Sequence, residues 1–271
     1  MLHFNHDCIR FHYRDVGDGV PFVFQHGLGG DLEQPFGIFN PPTGIRLLAF
    51  DFRAHGQTEP LGPVHKIGLA TFADDLAAFL DHLHIEQAVT GGISMGAAVT
   101  MNFVLRYPGR VLGLVQARPA WFEGPNRENG CKCTYIAELL RNLGPERGKA
   151  EFEQSDMFHK VFAEAPNAAE SLLGQFDNPQ AVERRGRLER IPLDAPYESL
   201  GQLAAIKVPT LVLANRQDPI HPFFFGEAIA DAITGSEFHE ITSKSVSVEQ
   251  HDRGMQLHLC GFLQQNFIIA K

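Results

Sequence analysis

The segment TGGISMGAAV, residues 90–99, sets a serine between glycines two positions away on either side. It ends an apolar run, QAVTGGIS, that reads as a strand. It opens MGAAVTMNFVLRYP, which reads as a helix closed by Pro108. A sharp turn here forces strained backbone angles on Ser94, so neighbouring side chains must be nearly absent, hence Gly92 and Gly96. The turn lifts the hydroxyl clear of the sheet at the carboxyl end of a strand. The helix N-terminus then points amide groups at the same place. Ser94 is therefore a candidate nucleophile. Gly-x-Ser-x-Gly alone is a weak signal, and a tight turn that merely holds a serine is the competing reading. The strand before and the helix after favour the nucleophile.

Working outward, residues 8–16 alternate as a half-exposed strand does, and PFVFQ, IRLLAFD, VLGLVQARPA, VPTLVLANRQDP and FHEIT read as further strands. Residues 69–83, with Thr71 as cap, 222–234 and 252–269 read as helices. Several strands are continuous apolar runs, the signature of a mostly parallel sheet covered on both faces. Between 122 and 197 strand-like runs vanish, and YIAELLRNL, DMFHKVFAEA and AESLLGQF repeat at helical spacing. The expected fold is one α/β domain: a core of residues 1–121 and 198–271 and a helical insertion at 122–197 lying over one edge of the sheet.

The chain has 271 residues and a net charge of −9, with no basic block, which argues against nucleic acid and anionic membranes as partners. No apolar run approaches the roughly 20 residues needed to span a bilayer. The polar N-terminus lacks a signal-peptide pattern, so a cytoplasmic location is expected. Cys8, Cys131, Cys133 and Cys260 are scattered and form no zinc pattern; they read as reduced thiols. His82 and His84, two apart, do not share a helix face, so no metal site is read there. Phenylalanine, 22 against 4 tyrosines, is expected mostly in the core, with some lining an apolar pocket.

A serine needs a base, and the base needs an orienting acid. Asp218 stands just after the apolar run TLVLA, where a strand end would bring it near Ser94. His251 stands after the last strand and before the last helix, completing the chain order Ser, Asp, His. His221, three residues after Asp218, is its nearest rival and reads as a pocket residue. Glu249 and Asp252 are the rival acids, but they flank His251 too closely to address its ring. QHGLGG, residues 25–30, follows a strand and can donate a backbone N–H; with the helix start it makes the amides of Leu28 and Met95 the candidate oxyanion donors. His26 and Gly27 shape that loop and are expected at the pocket, with Trp121 and Phe122 as candidate pocket walls. Asp51 and Arg53 read as a structural pair.

HGLGG, DFRAHGQT, GISMG, NRQDPIHP and the histidine in EQHDRGMQLHLCGFL together resemble the α/β-hydrolase superfamily over nearly the whole chain. The likeness is greatest to its serine esterases, enol-lactonases and cofactor-free haloperoxidases. Ala54 departs from the glycine usual in that turn. The resemblance implies a Ser94–Asp218–His251 triad, a Leu28/Met95 oxyanion hole, a helical cap, and no cofactor. The expected activity is hydrolysis of a small or medium carboxylic ester or lactone by a monomer or homodimer. A C–C bond hydrolase, thioesterase or perhydrolase with the same triad is the alternative. A slow-turnover ligand sensor on the same fold is the alternative of another class.

Overall fold

The computed structural model describes residues 1–268; residue 269, the expected end of the final helix, and the two after it lie outside the described residues. Eight strands form one sheet: β1 (Leu2–His6), β2 (Ile9–Val16), β3 (Gly19–Gln25), β4 (Gly44–Phe50), β5 (Ala88–Ile93), β6 (Val111–Ala117), β7 (Thr210–Ala214) and β8 (Glu237–Glu240). Their order is β1-β2-β4-β3-β5-β6-β7-β8. The pairs β1–β2 and β2–β4 are antiparallel, and every pair from β4 to β8 is parallel. Residues of β5 and β7 are buried throughout, as strands covered on both faces must be. Strand β1 is absent from the sequence reading because its histidines and Asn5 interrupt the apolar pattern. It is an edge strand and needs only Phe4 inside.

The helices are α1 (Glu33–Ile38), α2 (Leu69–His82), α3 (Met95–Arg106), α4 (Arg127–Glu153), α5 (Asp156–Glu164), α6 (Pro166–Leu173), α7 (Ala181–Arg184), α8 (Gly186–Arg190), α9 (Phe223–Ala232) and α10 (Val248–Phe267). Two apolar clusters flank the sheet. One gathers α2, α3 and α9; the other gathers α10 and the end of α1. A third lies within the helices that join β6 to β7, around Ile136, Leu140, Phe152, Leu172 and Leu188. This helical insert therefore has a core of its own. Helix α4 breaks at Gly144, which takes φ 74° ahead of Pro145. Among the described residues, no helix is long and apolar enough to cross a membrane.

Three local expectations are corrected. Thr71 does not cap α2, which begins earlier, at Leu69; its first N–H donates to Asp194 Oδ2 at the end of the insert, 2.7 Å away. Asp51 and Arg53 are not partners. Arg53 binds Asp75 through two 2.6 Å contacts and Asp7 through one of 2.8 Å, whereas Asp51 accepts the amides of Leu32 and Gln57 and meets His12. The phenylalanines form a ring-on-ring core through Phe4, Phe11, Phe50, Phe52, Phe72 and Phe79, and none lines the cavity at Ser94.

Candidate active site

Ser94 joins β5 to α3 with φ 56° and ψ −109°, a conformation L-residues rarely hold. The surroundings enforce it. A Cβ on Gly92 would lie 2.2 Å from the Gly96 carbonyl carbon, and one on Gly96 would lie 2.4 Å from Gln25 O. Only glycine fits at either place. The Ser94 N–H is tied to Ala117 O on β6, so the neighbouring strand fixes the turn.

The histidine that meets Ser94 is His221. Its Nε2 lies 2.9 Å from Ser94 Oγ, and its Nδ1 lies 2.9 Å from Asp218 Oδ2. Both residues belong to one turn, Asp218-Pro219-Ile220-His221, between β7 and α9. Asp218 Oδ1 accepts the backbone N–H of Ile220 and of His221, so the carboxylate that orients the ring also folds the turn carrying it. Arg118, at the end of β6, donates to Asp218 Oδ2 through Nη2 at 2.6 Å and Nε at 3.2 Å. Burial alone would raise Asp218, but His221 and Arg118 overcome it and hold the carboxyl far below its usual range. His221 is pushed below the ordinary histidine value, first by burial and further by Arg118, against the pull of Asp218. The ring is neutral at pH 7, with Nδ1–H directed at Asp218 and Nε2 free to accept from Ser94.

His251 is not brought to Ser94, and its expected place as base is corrected. It sits buried in the first turn of α10, with Nδ1 2.8 Å from Thr242 O. Burial, then Arg118, pushes its pKa down to about 4. Its bond to Thr242 fastens α10 to the segment after β8. The rule that the base follows the last strand pointed past His221. The i,i+3 spacing across a proline turn was the signal that could have found it.

Leu28 lines the cavity that holds Ser94, and Met95 follows Ser94 at the start of α3. The Gly27 carbonyl is held by His26 Nδ1 at 2.8 Å and by the Gly30 N–H at 3.1 Å. In a trans peptide the next N–H points the opposite way, so the Leu28 amide is turned from that carbonyl. Met95 is the first residue of α3, and its N–H is one of the helix's unpaired amides. His26 does not line the cavity. It is fully buried behind the loop, accepting the Phe52 N–H at Nε2, so its neutral form is built into the loop's geometry.

A cavity of about 200 Å³ opens over Ser94, between the carboxyl edge of the sheet and the insert. Gly27, Leu28, Trp121 and His221 line it, as do Asn129 and Lys132 of α4, Gln175 and Lys244. Phe122 does not. It packs on Phe224 and Phe225 of α9, with ring centroids 5.6 Å away in both cases. Lys132 and Lys244 escaped the sequence reading because isolated lysines look like solvated surface.

The strand order, with the serine turn at the carboxyl ends of the parallel strands, defines a class: hydrolases built on an open α/β sheet. The chain belongs to the alpha/beta hydrolase fold family, whose model matches residues 20–245, and is an α/β hydrolase. It is 29% identical over 231 residues to the AB hydrolase superfamily protein YisY of Bacillus subtilis, covering 82% of this chain and 83% of that one. It is 26% identical to 3-oxoadipate enol-lactonase 2 of Acinetobacter baylyi, over 89% and 93% of the two chains. Among solved structures, MGS-M2, an α/β hydrolase from a deep-sea metagenome library, superposes with a TM-score of 0.75 at 21% identity, with all of both chains covered.

Proposed function

We propose that the chain hydrolyses carboxylic esters, lactones included, through an acyl-enzyme on Ser94. The observation that carries this reading is the unbroken contact from Ser94 Oγ to His221 to Asp218, 2.9 Å at each step. Ser94 Oγ attacks the carbonyl carbon as His221 Nε2 takes its proton. The amides of Leu28 and Met95 receive the charge that develops on the carbonyl oxygen. His221 returns the proton to the leaving alkoxide, the alcohol departs, and Ser94 holds the acyl group. Water then attacks the acyl carbon and loses a proton to His221, which gives it to Ser94 Oγ as the Oγ–acyl bond breaks and the acid leaves. In a lactone the alcohol stays attached to the acyl chain and leaves with the product acid. The enol-lactonase relative supports including that substrate class. The helical insert acts as the cap of this site. The reaction needs no cofactor.

A fluorophosphonate probe tests the reading directly. Peptide mapping is expected to find the adduct on Ser94, with labelling lost in Ser94→Ala and in His221→Ala. Absence of label on folded wild-type protein would overturn it.

The pH profile follows from the same contacts. His221 works only when neutral, so kcat/KM rises with pH along an acid limb whose midpoint lies below 6.5. Arg118 lowers that midpoint by disfavouring the imidazolium. Arg118→Met is therefore expected to move the acid limb to higher pH in a kcat/KM titration. An unmoved or lowered limb would show that Arg118 does not tune the base.

A further inference from the structure

Among the described residues, the cavity over Ser94 is lined by three cationic side chains, Arg118, Lys132 and Lys244, and by no aspartate or glutamate. The chain as a whole has 32 acidic residues against 23 lysines and arginines, so this wall reverses the character of the molecule. Arg118 is committed to Asp218. The two lysines are not comparably paired.

Lys132, on α4, is buried. Its ammonium donates to Asn129 Oδ1 at 3.2 Å and lies 3.4 Å from Glu128 Oε1, whose side chain is 79% exposed. A close ammonium–carboxylate bond is nearer 2.8 Å. Asn129 Nδ2 donates to Ile220 O at 2.7 Å, which turns the amide oxygen toward the lysine and holds it there. An ammonium has three protons, and these partners engage two. Lys244 follows β8. Its nearest acid, Asp252, is 3.9 Å away, beyond hydrogen-bond reach, and its side chain is 22% exposed. Taking an ammonium out of water without a full partner is costly, and a ligand anion relieves that cost.

We propose that the substrate is itself an anion: an ester or lactone carrying a carboxylate apart from the bond that is cleaved, with Lys132 and Lys244 as its counter-charges. This rests on the ester-hydrolase reading and narrows it. The carboxylate binds between the insert and the segment after β8, the scissile carbonyl sits at Ser94, and the small cavity keeps the two groups a short chain apart.

The test compares the monoethyl esters of succinic, glutaric and adipic acids with the ethyl esters of their matching monoamides, which have the same shape and no charge. For at least one chain length, kcat/KM for the acid is expected to exceed that for the amide at least tenfold, mainly through KM. That ratio is expected to collapse toward one in Lys132→Met and in Lys244→Met, and to persist in Lys160→Met, a surface control outside the cavity. A wild-type ratio near one, or a ratio unchanged in both cavity variants, overturns the proposal and leaves the ester-hydrolase reading intact. If none of these esters turns over, calorimetric titration of the Ser94→Ala protein with the free diacids decides. Binding that weakens at least tenfold in the lysine variants upholds the anion site, and no binding of any diacid overturns it. Fluorophosphonate labelling of Ser94 reports on the nucleophile separately, so failure of the anion site is distinguished from failure of the ester-hydrolase reading.

Discussion

His221→Ala is expected to lower kcat by on the order of 10⁶, as far as Ser94→Ala, because members of a catalytic unit fail together. His251→Ala is expected to leave kcat within about tenfold and to act on stability instead. The difference is geometric. His221 bridges Ser94 and Asp218, while the His251 ring is spent on Thr242 O. Truncating His251 removes that bond and leaves a cavity at a buried site, a loss of roughly 2–4 kcal/mol. It also changes the pH dependence of folding. The unfolded ring takes a proton below about pH 6.5, whereas burial and Arg118 keep the folded ring neutral down to about pH 4. The unfolded state therefore binds more protons inside that window. Stability is fully present above about 6.5 and falls as the pH drops toward 4, by on the order of 3 kcal/mol from this one group. Thermal melts from pH 7 to pH 4 should show a falling Tm in wild type and a shallower fall in His251→Ala. Turnover lost in a well-folded His251→Ala but kept in His221→Ala would reverse the assignment.

The parts of this molecule with a local steric or periodic cause could be read from sequence. Ser94 needed Gly92 and Gly96 because a Cβ at either glycine meets backbone, and that requirement is written in residue type alone. The parallel strands were legible as apolar runs because both faces of β5 and β7 are buried. The position of Asp218 beyond the end of a buried strand was legible from its place after such a run. The histidine beside Ser94 was not legible because His221 and His251 both fit the chain order Ser, Asp, His, and the rule that the base follows the last strand favoured His251. What separates them is the Asp218 carboxylate capping two amides of its own turn and aiming the ring three residues on. The Thr71 cap and the Asp51–Arg53 pair failed for another reason: the start of α2 is met at Leu69 by Asp194, and Arg53 by Asp75 and Asp7, all distant in sequence. Lys132 and Lys244 are cavity residues only because the insert folds back over the sheet edge, which no local pattern encodes.

Asp218→Asn is expected to lower kcat by about 10⁴, through the tautomer of His221 and not through lost bulk. The two carboxylate oxygens are not equivalent. Oδ1 accepts two backbone N–H groups, so an amide nitrogen cannot stand there without opposing both donors. The amide nitrogen must take the place of Oδ2, where it faces His221 Nδ1 at 2.9 Å and Arg118 Nη2 at 2.6 Å. It can then only donate to Nδ1. That moves the ring proton to Nε2 and leaves nothing to accept the proton of Ser94. The same exchange opposes two donors across the Arg118 contact and strips the guanidinium, 15% exposed, of its counter-charge, a loss of roughly 3 kcal/mol. Adding Arg118→Met to Asp218→Asn should therefore recover much of the Tm and none of the turnover, since the donor–donor clash is gone and the wrong tautomer remains. Turnover within tenfold of wild type in Asp218→Asn would mean that the ring is held for catalysis by something other than this carboxylate. Recovery of both Tm and kcat in the double variant would place the effect in the Arg118 contact and not in the proton on His221.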